Sequence, residues 1–424
     1  MFRLRARIIL TAVTARIIFS STLAWTVFSS LLHASDWPQF LGPNRNGSSA
    51  ESIATHWPKE GPIISWQKSI GSGWSSPVAS GGNVVVFHRV GDREIIDCLA
   101  VASGNPVWKF DYPTAYRDDF GFDPGPRGTP AIAQGKLVTH GANGVVHCLD
   151  FATGKKLWSV DTREKFSSGK GFFGPACSPL IEGGKVILNI GGTSGAGIIA
   201  LELETGQLAW KATDHEASYS SPVAATIQNQ RQILVLTRDG LAGLNPQSGQ
   251  VYFDFPFRSP IHASVNAATP LVNGDQVFLT ASYDTGALLL RVADRAAQKV
   301  WAAPETLSAH YATPVLRDGF LFGFHGRQDQ PPRAAFRCVE WKSGKIRWSA
   351  DDFGAGTVIL AGDQLLILRE NGELIRAAAT PDRFAILDRA QILGTDVRAG
   401  LALADGHLFA RGKNRLVCLD VKPR

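Results

Sequence analysis

A tryptophan returns along this chain at intervals of roughly fifty residues, usually just after a Thr/Ser-Gly turn. The pairs are Ser103-Gly104 with Trp108, Thr153-Gly154 with Trp158, Thr205-Gly206 with Trp210, and Ser343-Gly344 with Trp348. Self-similarity at this period marks one small supersecondary unit that has been copied and stacked. A unit so short cannot bury its own apolar face, so each copy needs neighbours and the chain must fold as an array or a closed ring.

Each copy opens on a Ser-Pro or Thr-Pro step, at Ser76-Pro77, Thr129-Pro130, Ser178-Pro179, Ser221-Pro222, Thr269-Pro270 and Thr313-Pro314. Two degenerate copies without the proline follow, near Thr357 and Gly400. A Gly-rich turn comes next, as in Ser80-Gly81-Gly82-Asn83, and then a run of β-formers such as Val84-Val85-Val86-Phe87. A variable loop, a short strand such as Cys148-Leu149-Asp150, the turn and the Trp complete the unit. Short strands separated by turn signals at this spacing predict four strands per copy, the blade of a β-propeller.

The fourth strands give the blade count. Trp108, Trp158, Trp210, Tyr252, Trp301 and Trp348 mark six, and a degraded seventh lies near Phe384. The last copy stops after its third strand, Val417-Cys418-Leu419-Asp420, and Ile63-Ile64-Ser65-Trp66-Gln67 supplies a matching fourth. The expected fold is therefore all-β, an eight-bladed propeller closed by its N-terminal strand, with seven blades as the fallback. Closure removes the free edges that an open sheet would expose. The tryptophans read as packing between blades, since a buried ring of this size is worth about 3–5 kcal/mol.

The best-preserved copy, Leu149-Asp150-Phe151-Ala152-Thr153-Gly154-Lys155-Lys156-Leu157-Trp158, resembles the PQQ-like repeat of quinoprotein alcohol dehydrogenase-like propellers, and the likeness covers nearly all of the mature chain. The opening Trp37-Pro38-Gln39-Phe40-Leu41-Gly42-Pro43 resembles that of a secreted, planctomycete-type subgroup. The resemblance implies either a dehydrogenase with PQQ and calcium or a non-catalytic scaffold like the outer-membrane-assembly propellers, and fold alone does not choose between them. Three features that the dehydrogenases carry are missing here: an adjacent Cys-Cys pair, a recognisable Glu/Asn/Asp calcium motif and a Cys-x-x-Cys-His haem site. On this reading no cofactor is assigned, and PQQ with calcium stays open.

Residues 1–34 read as a Sec-type signal peptide, with Arg3, Arg5, Arg7 and Arg16 before the apolar stretch Ile17 to Leu32. An uncleaved anchor is the alternative. The remaining chain divides into an extension, 35–62, and the propeller, 63–424. It is expected to be a periplasmic or extracellular monomer with no membrane span once the leader is cleaved. The full chain has 43 Lys+Arg against 37 Asp+Glu. Four of those arginines lie in the leader, so the mature protein is nearly neutral and a nucleic-acid partner loses its electrostatic support. Of the 5 cysteines, Cys98, Cys148, Cys338 and Cys418 share one repeat position where Ala200 and Gly243 stand in other copies. A site that accepts Ala, Gly or Cys is a tight packing position, so free thiols are expected.

Function should lie where the loops converge on the propeller axis. Two residues before each repeat's proline, or its equivalent, stand small side chains: Ser75, Gly128, Cys177, Ser220, Ala268, Ala312, Gly356 and Ala399. One position earlier the set becomes Trp74, Arg127, Ala176, Tyr219, Ala267, Tyr311, Ala355 and Arg398. Trp74, Arg127, Tyr219, Tyr311 and Arg398 are thus the candidate ligand-binding residues. Stacking faces and guanidinium forks suit a planar anion or a sugar-like ligand, although such a ring also serves as a plain side-chain plug.

Three long loops feed the same face: Tyr116 to Arg127, Phe166 to Pro175, and His325 to Arg333. Asp118, Asp119 and Asp123 are the metal candidates, as a calcium set or as a solvated acidic turn. For acid–base chemistry the candidates are Asp284, His262 and His310. The leading expectation is a non-catalytic propeller that binds a protein or small-molecule ligand at the funnel face. The alternative is a PQQ-dependent oxidoreductase of the alcohol or polyvinyl-alcohol dehydrogenase kind.

Overall fold

The Asp-x-x-Thr-Gly motif couples one blade to the one before it. Asp150 ends a third strand, and its Oδ1 accepts the Thr153 N–H at 2.9 Å and the Thr153 hydroxyl at 2.6 Å. Gly154 follows at φ 71°, a backbone conformation that favours glycine. A β-carbon there would stand 2.6 Å from the Trp108 ring. That indole lies over the turn and donates Nε1–H to Phe151 O at 2.8 Å. The same link joins Trp66 to Val101, Trp158 to Leu203, Trp210 to Pro246, Trp301 to Trp341 and Trp348 to Thr380. Each repeated Trp is therefore an inter-blade hydrogen-bond donor as well as buried apolar area.

In the computed structural model, which describes residues 36–423, these links assemble eight antiparallel sheets. The fold is an eight-bladed β-propeller. Blade one runs outward through Val78–Ser80, Asn83–Val90, Arg93–Ala100 and Pro106–Pro113, and the later blades repeat that order. The eighth blade takes Ile63–Ser69 as its outer strand against Arg415–Asp420, with Trp66 opposite Cys418. The chain thus closes its ring with its own N-terminal strand. The leader read over residues 1–34 lies outside the described residues, among which no helix is long and apolar enough to cross a membrane.

Register corrects two of the expected Trp equivalents. Trp108, Trp158 and Trp348 stand opposite Cys98, Cys148 and Cys338. In blade four the residue in that register is Phe253, opposite Gly243, and not Tyr252. The one-residue slip places Tyr252 on the other face of its strand. In blade seven the register residue is Asp388, opposite Arg376. Phe384 precedes the strand and packs on Trp348 at 5.3 Å. There an ion pair replaces the indole: Arg376 binds Asp388 and donates to Thr55 O, with its guanidinium 5.9 Å from the buried Trp57 ring. All five cysteines are buried and free.

The apolar core is divided into wedges between blades. One holds Val85, Phe87, Ile96 and Cys98 of blade one with Leu137 and Leu149 of blade two. Rigid wedges leave the axis to the innermost strands and to whatever crosses it.

Candidate functional site

The Ser/Thr-Pro steps form a hydrogen-bonded girdle around the axis. Ser76 N–H donates to Thr129 Oγ1 at 3.0 Å, Thr129 N–H to Ser178 Oγ at 2.9 Å, and Ser178 N–H to Ser221 Oγ at 3.0 Å. Thr269 N–H reaches Thr313 Oγ1 at 2.8 Å, and Gly400 N–H reaches Ser76 Oγ at 2.8 Å. Every bond crosses a blade boundary. At Thr129, Ser178, Ser221, Thr313 and Ser76 the hydroxyl is the acceptor for a neighbouring blade's backbone, whereas Thr269 Oγ1 is buried without a partner. Proline suits the next position because its nitrogen carries no hydrogen to satisfy at a crowded axis.

Below the girdle the N-terminal segment crosses the ring. Trp37 pairs with Ala79 of blade one in both directions, at 2.8 and 2.9 Å, and Pro38 O accepts Ile132 N–H of blade two at 2.8 Å. Arg45, only 3% exposed, donates to Pro179 O of blade three and Pro222 O of blade four, each at 2.7 Å. Gly47 O then accepts Leu360 N–H of blade seven at 2.8 Å, and Ser48–Ser49 adds a short parallel strand to that blade. Phe40 and Leu41 face upward from this crossing as the floor of a funnel cavity of about 500 Å³.

All five ring candidates, Trp74, Arg127, Tyr219, Tyr311 and Arg398, line that cavity. The guanidiniums of Arg127 and Arg398 lie 4.7 and 4.5 Å from the Trp74 ring centroid. Arg127 also donates to Phe173 O at 2.7 Å, and the Tyr219 hydroxyl accepts Phe173 N–H at 2.9 Å. This clamp fixes the second loop so that Phe172 and Phe173 stand at the wall, beside Phe120 and Phe122 of the first loop. The first loop is itself anchored: Arg89 donates to Tyr116 O and Pro124 O, and Trp74 and Ser75 N–H donate to Pro126 O.

Charge at the wall is paired throughout. Arg127 meets Asp118 at 3.2 Å with both side chains buried, Arg398 meets Glu370 at 3.2 Å, and Arg327 meets Asp329 at 2.6 Å. The Arg398–Glu370 contact is an ion pair without hydrogen-bond alignment, and Arg398 Nε has no aligned partner. Burial raises the Glu370 carboxyl above its usual range, more than Arg398 and the Tyr311 hydroxyl lower it. Tyr311 donates to Glu370 Oε1 at 2.9 Å. Burial also acts on Asp118, but bonds from the Asp123 and Phe120 N–H groups and from Arg127 outweigh it and hold that carboxyl low.

The other candidates separate. His310 lines the cavity, while Asp284 and His262 are exposed and outside its lining. The Tyr283 hydroxyl lies 2.8 Å from His310 Nε2, and burial pushes His310 down to about 4, so its imidazole is neutral at neutral pH. The acidic set does not converge. Asp118 is held by Arg127, Asp119 pairs with Lys170 at 2.6 Å, and Asp123 accepts Gly73 and Gly125 N–H. No group of three or more His, Cys, Asp or Glu able to hold a metal occurs among the described residues. Sequence reasoning missed the Phe40 and Leu41 floor, Arg45 and Glu370. An apolar, Gly-rich motif outside the repeat frame was the available signal for the first three. Glu370 lies in a loop between second and third strands, at a position for which no repeat marker exists.

A family profile described as outer membrane protein assembly factor BamB matches residues 92–331. Quinoprotein alcohol dehydrogenase PedH of Pseudomonas putida is 26% identical over 189 residues, covering 42% of this chain and 30% of that protein. Outer membrane protein assembly factor BamB of Yersinia pestis is 25% identical over 253 residues, covering 54% of this chain and 60% of that protein. The chain thus covers less than two thirds of either relative's length. Among solved structures, quinohemoprotein alcohol dehydrogenase of Comamonas testosteroni superposes with TM-score 0.68 at 14% identity, over 92% of this chain and 81% of that one. BamB of Moraxella catarrhalis does so with TM-score 0.62 at 16% identity, over 85% of this chain and 98% of that one. At such identities these two share its fold.

Proposed function

The chain belongs to the PQQ-repeat propeller family described as outer membrane protein assembly factor BamB, and from that premise we propose a non-catalytic binding propeller of the periplasm or extracellular space. Residues 1–34 would export it, and the monomer would capture a small ligand or a segment of a partner protein in the funnel. The observation that carries this reading is the funnel itself: a blind cavity of about 500 Å³, walled by aromatic side chains on anchored loops. A concave, largely apolar site with a few placed polar groups is what ligand capture requires.

Alcohol oxidation with PQQ is the second reading, favoured by the likeness to PedH. PQQ is a planar tricarboxylate. The guanidiniums that would meet it already carry Asp118, Glu370 and Asp329, and the acidic residues form no cation cage among the described residues. His310, a candidate base, has its Nε2 engaged by Tyr283. This donor set does not suit a trianionic quinone. The deciding experiment mixes the purified mature protein with PQQ and Ca²⁺, dialyses, and records the spectrum and dye-linked alcohol oxidation. The expected result is no retained quinone absorbance. Retention together with alcohol-dependent dye reduction overturns the non-catalytic reading.

A further inference from the structure

We propose that the funnel takes a neutral polyhydroxylated ring, a sugar unit, with its C–H face on the aromatic wall and its hydroxyls on the polar wall. This rests on the binding reading above and gives its ligand a chemical class. Three observations carry it, and each removes a competitor.

Charge comes first. The cavity's three arginines are each neutralised by a carboxylate at 2.6 to 3.2 Å, and in the Arg127–Asp118 pair the side chains are only 8% and 2% exposed. An anion or a cation entering here would have to compete with a buried pair, and separating one leaves an uncompensated charge behind. A neutral ligand leaves the pairs intact.

The second observation is the set of polar atoms that protein contacts leave over. The girdle hydroxyls of Ser76, Thr129, Ser178 and Ser221 are acceptors in their bonds, so their O–H groups remain free to donate into the cavity. Among the described residues, the bonds to Glu370 converge on Oε1, and Oε2 remains as an acceptor. Buried polar groups in native proteins are normally satisfied. A hydrocarbon would satisfy none of these, whereas each hydroxyl of a sugar both donates and accepts.

Shape completes the case. Tyr219 and Phe173 bring aromatic side chains to the same lining as the girdle hydroxyls, and Phe40 with Leu41 adds apolar surface from the N-terminal crossing. A blind cavity of about 500 Å³ suits the end of a glycan, admitted through the rim where Phe120 and Phe122 are 54% and 52% exposed.

The test is saturation-transfer NMR with titration calorimetry on the full mature protein, using cellobiose, maltose and N,N′-diacetylchitobiose as neutral probes and glucuronate as the anionic one. The expected result is saturation of ring C–H protons in at least one neutral disaccharide, with glucuronate binding more weakly. In Glu370→Gln the Arg398 charge is released, so the neutral sugar should weaken by about tenfold while glucuronate gains. Phe122→Ala, at an exposed rim position, supplies a second variant that keeps the fold and reduces saturation of the same protons. Preference of the native protein for glucuronate, or binding of none of the saccharides, overturns the sugar proposal. An aromatic-rich peptide bound in the funnel instead would overturn the sugar class yet leave the binding reading standing, and PQQ retention with alcohol-dependent dye reduction would remove both.

Discussion

Ser76 donates its backbone N–H to the side-chain oxygen of Thr129, 3.0 Å away across a blade boundary. Both residues belong to Ser/Thr-Pro steps, so the dipeptide that opens each repeat is an inter-blade fastening at the axis. The tryptophans fasten the same blades at their outer edge. A propeller tied at both radii holds its funnel residues in place, which is the rigidity a preformed site needs.

Thr129→Val keeps the shape and removes the acceptor, leaving the buried Ser76 N–H without a partner. A loss of about 1–3 kcal/mol is expected, read by urea unfolding. Thr129→Ser keeps the oxygen and should stay within about 1 kcal/mol of the native protein. A destabilised Thr129→Ser beside an unchanged Thr129→Val would show that the methyl group, not the hydrogen bond, is what matters there.

Arg45 holds the channel crossing through carbonyls of blades three and four. Burial lowers its pKa to about 10, so it stays charged at neutral pH. Arg45→Ala strands those carbonyls and should cost about 2–4 kcal/mol. Arg45→Lys should recover only part of this, because a point charge cannot fork to two acceptors as a guanidinium does. Unchanged unfolding of the Ala variant would mean that the segment is held elsewhere.

Gly206 and Gly184 separate backbone strain from ring packing. Their φ values are 69° and 75°, but a β-carbon at Gly206 would lie 2.7 Å from the Trp158 ring, while nothing stands within 4 Å at Gly184. Gly184→Ala should cost about 1 kcal/mol. Gly206→Ala should cost clearly more, by about 1–3 kcal/mol, in chemical denaturation. Equal costs would deny the indole its place over the turn.

His140 sets a pH dependence. Burial pushes it down from 6.5 to about 4, and its bond to Cys177 O only partly offsets this. Between those values the unfolded chain binds the proton and the folded chain does not. Stability contributed at this site is therefore complete above pH 6.5 and is lost as pH falls towards 4. Replacing His140 by Gln removes that term. Between pH 7 and 4.5 the variant should lose about 2 kcal/mol less than the native protein in urea unfolding. Parallel losses would show that His140 is protonated in both states.

Blade number, the closing strand and the membership of the funnel ring were legible in the chain because each depends on short spacing repeated many times. Trp74, Arg127, Tyr219, Tyr311 and Arg398 share one offset from the repeat's proline or its equivalent, and a shared offset in a cyclic fold means a shared height at the axis. Register was less legible. Tyr252 and Phe253 are adjacent aromatics, and only strand pairing tells which one faces Gly243. In blade seven the aromatic was replaced by the Arg376–Asp388 pair, which no search for aromatic residues would find.

The amino-acid pattern by itself determined that this protein is a ring of eight small sheets and where that ring places its aromatic and cationic side chains. Only the tertiary structure decided that the ring has a floor and that its charges cancel. Arg45 reaches Pro222 across 177 residues, and Tyr311 reaches Glu370 across 59. Such partners meet only after the ring closes, so no local spacing encodes them. The repeat sets what each blade must look like, and the contacts between distant blades set what the funnel can hold.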